Sequence, residues 1–219
     1  MFRDNGMKNE HQCTAPDQFQ ARDRLTRLAD FIFEAGMLRK TPRTGYQFLG
    51  SGAENVAEHS FRTAVIGYIL ADMAGADRLR TMELCLFHDL HEARTGDFNY
   101  VAKQYNSCRE GAALADALAG TGLEEPVLDS WKELEDAETF EAKLAQDADQ
   151  IDLIANLKEE LDLGNRYAEK WIDCALKRLK TDVAQQLAQQ ISVVDHTDWW
   201  FLARERSWWE KKNGHDKSE

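Results

Sequence analysis

The sequence predicts an all-α protein, on three observations. It is rich in Ala, Leu, Glu, Lys, Gln and Arg, which favour helices. It has only three prolines in 219 residues. Its apolar residues recur at helical spacing, and strand-like alternation is scarce. A hydrophobic fraction of 43% is enough for a sizeable core. The length sets one domain as the default, expected at residues 17–210 between tails at 1–16 and 211–219.

The first sixteen residues are polar and without period, as expected of a tail, and Met7 is an alternative start. A first helix is expected from Asp17 to about Leu38, with Leu25, Leu28, Phe31 and Ile32 as its apolar stripe. Thr41 to Tyr46 and then Gly50-Ser51-Gly52 read as loop. Asn55 with Glu58 three residues later has the form of a capping box. The helix it opens, through Phe61, Val65, Ile66, Ile69 and Leu70 to about Ala74, is apolar on most sides and is expected to be central. Another helix is expected from about Arg78 to Ala93, and a short element after Asp97. Residues 107–119 form an alanine-rich helix, broken by Gly120-Thr121-Gly122. Glu125-Pro126 opens the next. A long helix is expected from about Asp136 to Leu163, and a last long one from Arg166 to about Val193. The aromatic pairs Trp199-Trp200 and Trp208-Trp209 are read as packing material, for a last helix or for a homodimer contact.

A formal net charge of −12 opposes binding to nucleic-acid polymers, which needs a basic face. It leaves room for a small anionic substrate, because a metal ion and a few arginines can dominate one pocket. Cys13, Cys85, Cys108 and Cys174 are scattered with no Cys-x-x-Cys pair, which speaks against a cysteine zinc site. No signal-peptide pattern and no run of membrane-spanning length is seen, so a cytoplasmic protein with reduced thiols and no membrane contact is expected.

The chemistry concentrates where the apolar run Leu84 to Phe87 meets His88-Asp89. Burying that pair without a partner is expensive, and a metal ion accepts both imidazole nitrogen and carboxylate oxygen. Glu92 lies four residues on, and Asp97 follows Gly96. The plainer alternative is a solvated acidic end to a core helix. His59, alone in the first turns of its helix, could equally be a satisfied core histidine. In Asp147-Ala148-Asp149-Gln150-Ile151-Asp152, helical periodicity favours Asp147 as the buried acid, since it shares a stripe with Phe140, Leu144, Ile151 and Ile154. Arg43 and Tyr46 could contact an anionic ligand, or be a solvated arginine beside a packed tyrosine.

The order His59, then His88-Asp89, then a later aspartate resembles the HD superfamily of metal-dependent phosphohydrolases. The stretches Glu54-Asn55-Val56-Ala57-Glu58-His59-Ser60 and His88 to Asp97 are similar to the branch of 5′-deoxynucleotidases. The resemblance covers roughly residues 20–190 and implies a helical bundle around one divalent ion, Mn, Co, Fe or Zn. It implies His59, His88, Asp89 and, in Ala148-Asp149-Gln150-Ile151, Asp149 rather than Asp147 as ligands. It places Glu92 near the attacking water, Asp97 towards the substrate sugar and Arg43 on the phosphate. Tyr46 stands where relatives often carry tryptophan. The implied activity is hydrolysis of (deoxy)nucleoside 5′-monophosphates. Alternatives are an HD-type enzyme for another phosphoester (a cyclic nucleotide, a nucleoside triphosphate or a non-nucleotide) and a non-catalytic binding module. A purely structural metal would need neither Glu92 nor Asp97.

Overall fold

A computed structural model describes residues 22–210; the expected tails at 1–16 and 211–219, Met7, Cys13 and a helix start at Asp17 lie outside them. The described chain is helical, and its only bridge pairing is the isolated Pro42–Asn55 contact. Its α-helices are α1 (Arg24–Ala35), α2 (Val56–Ala74), α3 (Arg78–Phe87), α4 (Glu92–Thr95), α5 (Glu110–Leu118), α6 (Glu124–Asp136), α7 (Phe140–Asp162), α8 (Ala168–Leu176), α9 (Asp182–Val193), α10 (Asp198–Phe201) and α11 (Arg206–Glu210). Short 3₁₀ turns occupy Gly36–Lys40, Thr44–Phe48 and Ala102–Gln104. No described helix is long and apolar enough to cross a membrane.

Helices α2, α3 and α7 pack on one another at the centre, with α8 and α9 laid on α7 and α6 on α3 and α7. Leu70, Leu84, Leu144, Ile151, Ile154 and Leu157 form the larger core. Leu38, Val56, Leu90, Leu114, Leu118 and Val127 form a smaller one. The capping box is present: Asn55 Oδ1 accepts from Glu58 N and Glu58 Oε2 from Asn55 N, each at 3.0 Å. It fixes the start of α2 one residue-turn before His59.

Several expectations change. In α1 the proposed apolar stripe holds only in part: Phe31 packs on the smaller core, but Leu25 is 77% and Ile32 71% exposed while Arg27 is fully buried. The reason is a cap: Arg27 Nε donates to Ala119 O at 2.7 Å and Nη2 to Ala117 O at 2.9 Å, satisfying the last carbonyls of α5. Helix α2 is central on one side only; Phe61, Val65, Ile69 and Met73 are exposed. The helix expected through Ala93 ends at Phe87. There the His88 ring donates to Cys85 O at 2.6 Å, and i→i+3 bonds join Leu90 to Phe87 and Glu92 to Asp89. The helix expected to begin near Asp136 starts at Phe140, because Ala137 turns left-handed (φ 51°) and Thr139 caps α7. Phe140 itself is exposed. The last long helix is two, α8 and α9, and Thr181 caps the second. Trp200 and Trp208 pack on Trp209, with Phe201 and Trp209 stacked at 5.9 Å, while Trp199 is largely exposed.

The α2–α3 crossing depends on Gly67. A Cβ there would lie 2.5 Å from Cys85 Sγ. An alanine in mid-helix ordinarily adds about 1 kcal/mol over glycine. Here overpacking outweighs that gain, so Gly67→Ala is expected to destabilise by about 1–3 kcal/mol in chemical denaturation. The loss should shrink in a Cys85→Ala background, and equal losses in both backgrounds would contradict the steric account.

Candidate active site

Four side chains from three segments meet at one point. His59 comes from the second turn of α2, His88 and Asp89 from the tightened turn after α3, and Asp149 from the middle of α7. His59 Nε2 lies 3.1 Å from His88 Nε2, 3.2 Å from Asp149 Oδ1 and 3.5 Å from Asp89 Oδ2. His88 Nε2 lies 3.1 Å from Asp89 Oδ2. His59, His88 and Asp89 form a group able to hold a metal ion, and Asp149 joins it through His59.

The protonation pattern makes this convergence informative. His88 Nδ1 faces the Cys85 carbonyl and must donate to it, which leaves an acceptor at Nε2 in the neutral ring. His59 Nδ1 faces the Asp152 carboxylate at 2.6 Å, with the same result. Two imidazole lone pairs and two carboxylate oxygens therefore point at one another and need a cation between them. Donor atoms about 2.1 Å from a shared ion lie roughly 3.0–3.4 Å apart, close to the separations observed. The donor set fits a divalent metal. Without one, a proton serves: burial and Arg43 oppose a charged His59, but Asp149 and Asp152 outweigh them and raise its pKa to about 10. Asp89 is held well below the usual carboxylate range, its burial outweighed by His88, His59 and Arg43. Asp149 is lowered in the same way by His59, His88 and Arg43.

The remaining sequence candidates lie around this point. Arg43 is neither solvated nor distant: Nη1 is 3.2 Å from Asp89 Oδ2 and Nη2 4.0 Å from Asp149 Oδ1. Those carboxylates raise its pKa despite its burial. Its loop is fixed by Arg43 N→Glu54 O (2.9 Å) and Val56 N→Thr41 O (3.0 Å). Asp97 Oδ2 accepts from Thr44 N at 2.6 Å and Thr44 Oγ1 at 3.1 Å, so this oxygen anchors the Arg43 loop. Glu92 is 6% exposed, and its Oε2 has no hydrogen-bond partner. Burial, then Asp89 and Asp97, push its pKa up to about 9. Tyr46 packs between Gly52 and the core, and burial and Glu54 push its hydroxyl pKa up. Gly52 has no room for a side chain: φ is +81°, and a Cβ would meet Tyr46 at 2.6 Å.

Arg43, Tyr46, Asp89, Glu92, Asp97 and Asp149 all line one cleft that is open to solvent. Tyr100, Leu153, Leu157 and Trp171 line the same cleft, with the Tyr100 and Trp171 rings edge to face at 6.0 Å. A second cleft reaches His88, Asp89, Glu92 and Asp149 from the side of Lys103 and Arg178.

Asp147 is buried, as periodicity indicated, but it points elsewhere. It accepts from Lys180 N, Thr181 N and Thr181 Oγ1 at 2.7–2.8 Å, holding the start of α9. The sequence reading missed Asp152, Asn156 and Arg62. Asp149, Asp152 and Asn156 fall at i, i+3 and i+7, a polar line along a helix otherwise rich in buried residues, and that spacing was the available signal.

Comparisons with known proteins give the chain's relatives. A 5′-deoxynucleotidase HDDC2 of Xenopus laevis is 31% identical over 145 residues, 64% of this chain and 72% of the relative. One of Dictyostelium discoideum is 29% identical over 149 residues, 62% of this chain and 78% of the relative. A solved structure of a conserved hypothetical protein from Pyrococcus furiosus superposes with a TM-score of 0.64 at 26% identity, over 76% of this chain and 99% of that one. The family model described as HD domain matches residues 35–192, a span that begins before the Arg43 loop and runs through nearly all of α9. With all four converging side chains and well over half its length inside that match, the chain belongs to the HD-domain family.

Proposed function

We propose that this chain is a metal-dependent phosphohydrolase that cleaves the phosphomonoester of nucleoside 5′-monophosphates, deoxynucleotides among them. The observation that carries the reading is the meeting of four acceptors, two imidazoles and two carboxylates, beside a half-buried arginine and a buried glutamate whose Oε2 has no hydrogen-bond partner. The similarity to 5′-deoxynucleotidases supports the substrate class.

In this reading His59, His88, Asp89 and Asp149 hold one divalent ion. Such an ion lowers the pKa of bound water and offsets phosphate charge. Arg43 exchanges its carboxylate partners for phosphate oxygens and stabilises the charge that builds on them. Thr44 and Asp97 keep the arginine's loop in place meanwhile. With the ion's charge displacing the proton held in the metal-free protein, Glu92 would orient the attacking water and take its proton as the oxygen–phosphorus bond forms and the ester bond breaks. The proton passes on to the leaving 5′-oxygen, giving nucleoside and inorganic phosphate. The aromatic lining from Tyr46, Tyr100 and Trp171 suits a nucleobase. The free Cys85, Cys108 and Cys174 fit a cytoplasmic setting. The exposed apolar side of α2 supports self-association, which sedimentation of the purified protein tests.

Phosphate release from metal-stripped protein, with Mn, Co, Fe or Zn returned, tests the activity. Release from 5′-monophosphates that depends on the metal, and little from cyclic nucleotides or triphosphates, is expected. Stoichiometric metal binding without release from any monophosphate would refute the substrate assignment. Asp149→Asn should weaken metal binding by tenfold or more on the order expected for a lost ligand, and Asp147→Asn should retain the metal but lower Tm by loosening α9. The reverse pattern would exchange the roles of the two acids. For Glu92, the folded metal-free protein keeps a proton that the unfolded chain releases between pH 4.5 and about 9. Wild type thus loses stability through that window, so Glu92→Gln should gain Tm relative to wild type as pH rises across it. Parallel Tm–pH curves would show that Glu92 titrates normally.

A further inference from the structure

We propose that Asp152 is the positioning residue for His59, fixing the imidazole in the tautomer whose Nε2 faces Asp89, Asp149 and His88. The inference rests on His59 being a metal ligand. Asp152 is fully buried one helical turn beyond Asp149. Its Oδ2 lies 2.6 Å from His59 Nδ1 and 3.2 Å from Asn156 Nδ2. Its Oδ1 accepts from Arg62 Nε. A carboxylate only accepts, so the proton in the short contact belongs to His59 Nδ1. The other candidate partner at that nitrogen, Thr63 Oγ1, is 3.4 Å away and neutral.

The groups behind Asp152 hold it in turn. Arg62 comes from α2, one turn after His59, and also reaches Glu159 Oε1 at 2.7 Å and Glu54 Oε1 at 3.6 Å. Asn156 donates to both Glu54 oxygens at 3.0 Å, which directs its NH₂ towards the acids. Glu54, His59 and Asp152 could by composition hold an ion of their own. The 2.6 Å contact argues against it, because two ligands of one ion stand farther apart, and Arg62 already supplies the positive charge. The layer spans α2 and α7, the two helices that deliver His59 and Asp149, so it ties ligand orientation to their packing. Outer partners of this kind fix the ring and raise the basicity of the ligating nitrogen.

Asp152→Asn is nearly isosteric and separates positioning from packing. In either orientation its amide turns an NH₂ on a donor, Arg62 in one and His59 in the other. We expect Zn²⁺ or Co²⁺ affinity, measured against a chelating dye, to fall roughly 10–100-fold. Metal-free Tm should fall, because the amide leaves a buried donor facing a donor, so affinity is compared at a temperature where both proteins are folded, and kcat should recover largely at saturating metal. In zinc-loaded wild type, ¹⁵N-histidine NMR should show the His59 proton on Nδ1, a readout independent of any variant's folding. A proton on Nε2, or unchanged metal affinity in Asp152→Asn, would overturn the proposal. His59→Ala is the separate control: if it binds metal as tightly as wild type, the ligand reading itself fails. If His59→Ala loses the metal and Asp152→Asn does not, only the positioning role falls.

Discussion

The constraint on which the structure turns is electrostatic. Four acceptor atoms from three helical segments meet within about one coordination shell, and no neutral arrangement satisfies them. Such a cluster is tolerable only with positive charge beside it and with the outer nitrogen of each imidazole committed. The fold supplies both. Arg43 leans on two of the carboxylates, Cys85 O takes His88 Nδ1, and Asp152 takes His59 Nδ1. Close helix packing keeps these atoms in register. The α2–α3 crossing has no space for a side chain at Gly67, so the segments carrying His59 and His88 cannot drift apart or together without a visible change in the core.

Loops take part in the same arrangement. The residues between α1 and α2 form two 3₁₀ turns, with Pro42 bridged to Asn55 and with Arg43, Tyr46 and Leu49 lining the cleft. Their backbone bonds to Glu54 and their latch on Asp97 give a short irregular segment the fixity of a helix. Asp97 thus has a structural contact on one oxygen while still lining the cleft, a combination that motif spacing alone does not reveal.

What was legible in the sequence follows from which interactions are local. The α2 capping box, the glycine breaks and the His88-Asp89 pair are readable because their meaning lies within a few residues. The helix ends that were misjudged depend on partners distant in the chain. Asp147 splits the last expected helix by holding Thr181, and Arg27 occupies an apolar-looking stripe to cap α5. Periodicity marked Asp147 as buried and was right about burial; it carried no information on what the carboxylate would face. The resemblance to a known family supplied Asp149, and geometry then separated the duties of the two acids. Asp152 escaped notice because acids are common on helices and only its contact with His59 distinguishes it.

Helix α7 therefore works as a protractor. Each residue turns the side-chain direction by about 100°. Asp147 faces the start of α9, Asp149 the histidines, Asp152 the back of His59, and Asn156 the loop acid Glu54. These four bearings are set by residue count alone along one unbroken α-helix. A single inserted or deleted residue between Asp147 and Asp152 would change no side chain's chemistry, yet it would swing part of the set by roughly a quarter turn. Spacing in this segment is consequently a stricter requirement than the identity of most residues in it, and related chains that keep the site are bound to keep the count.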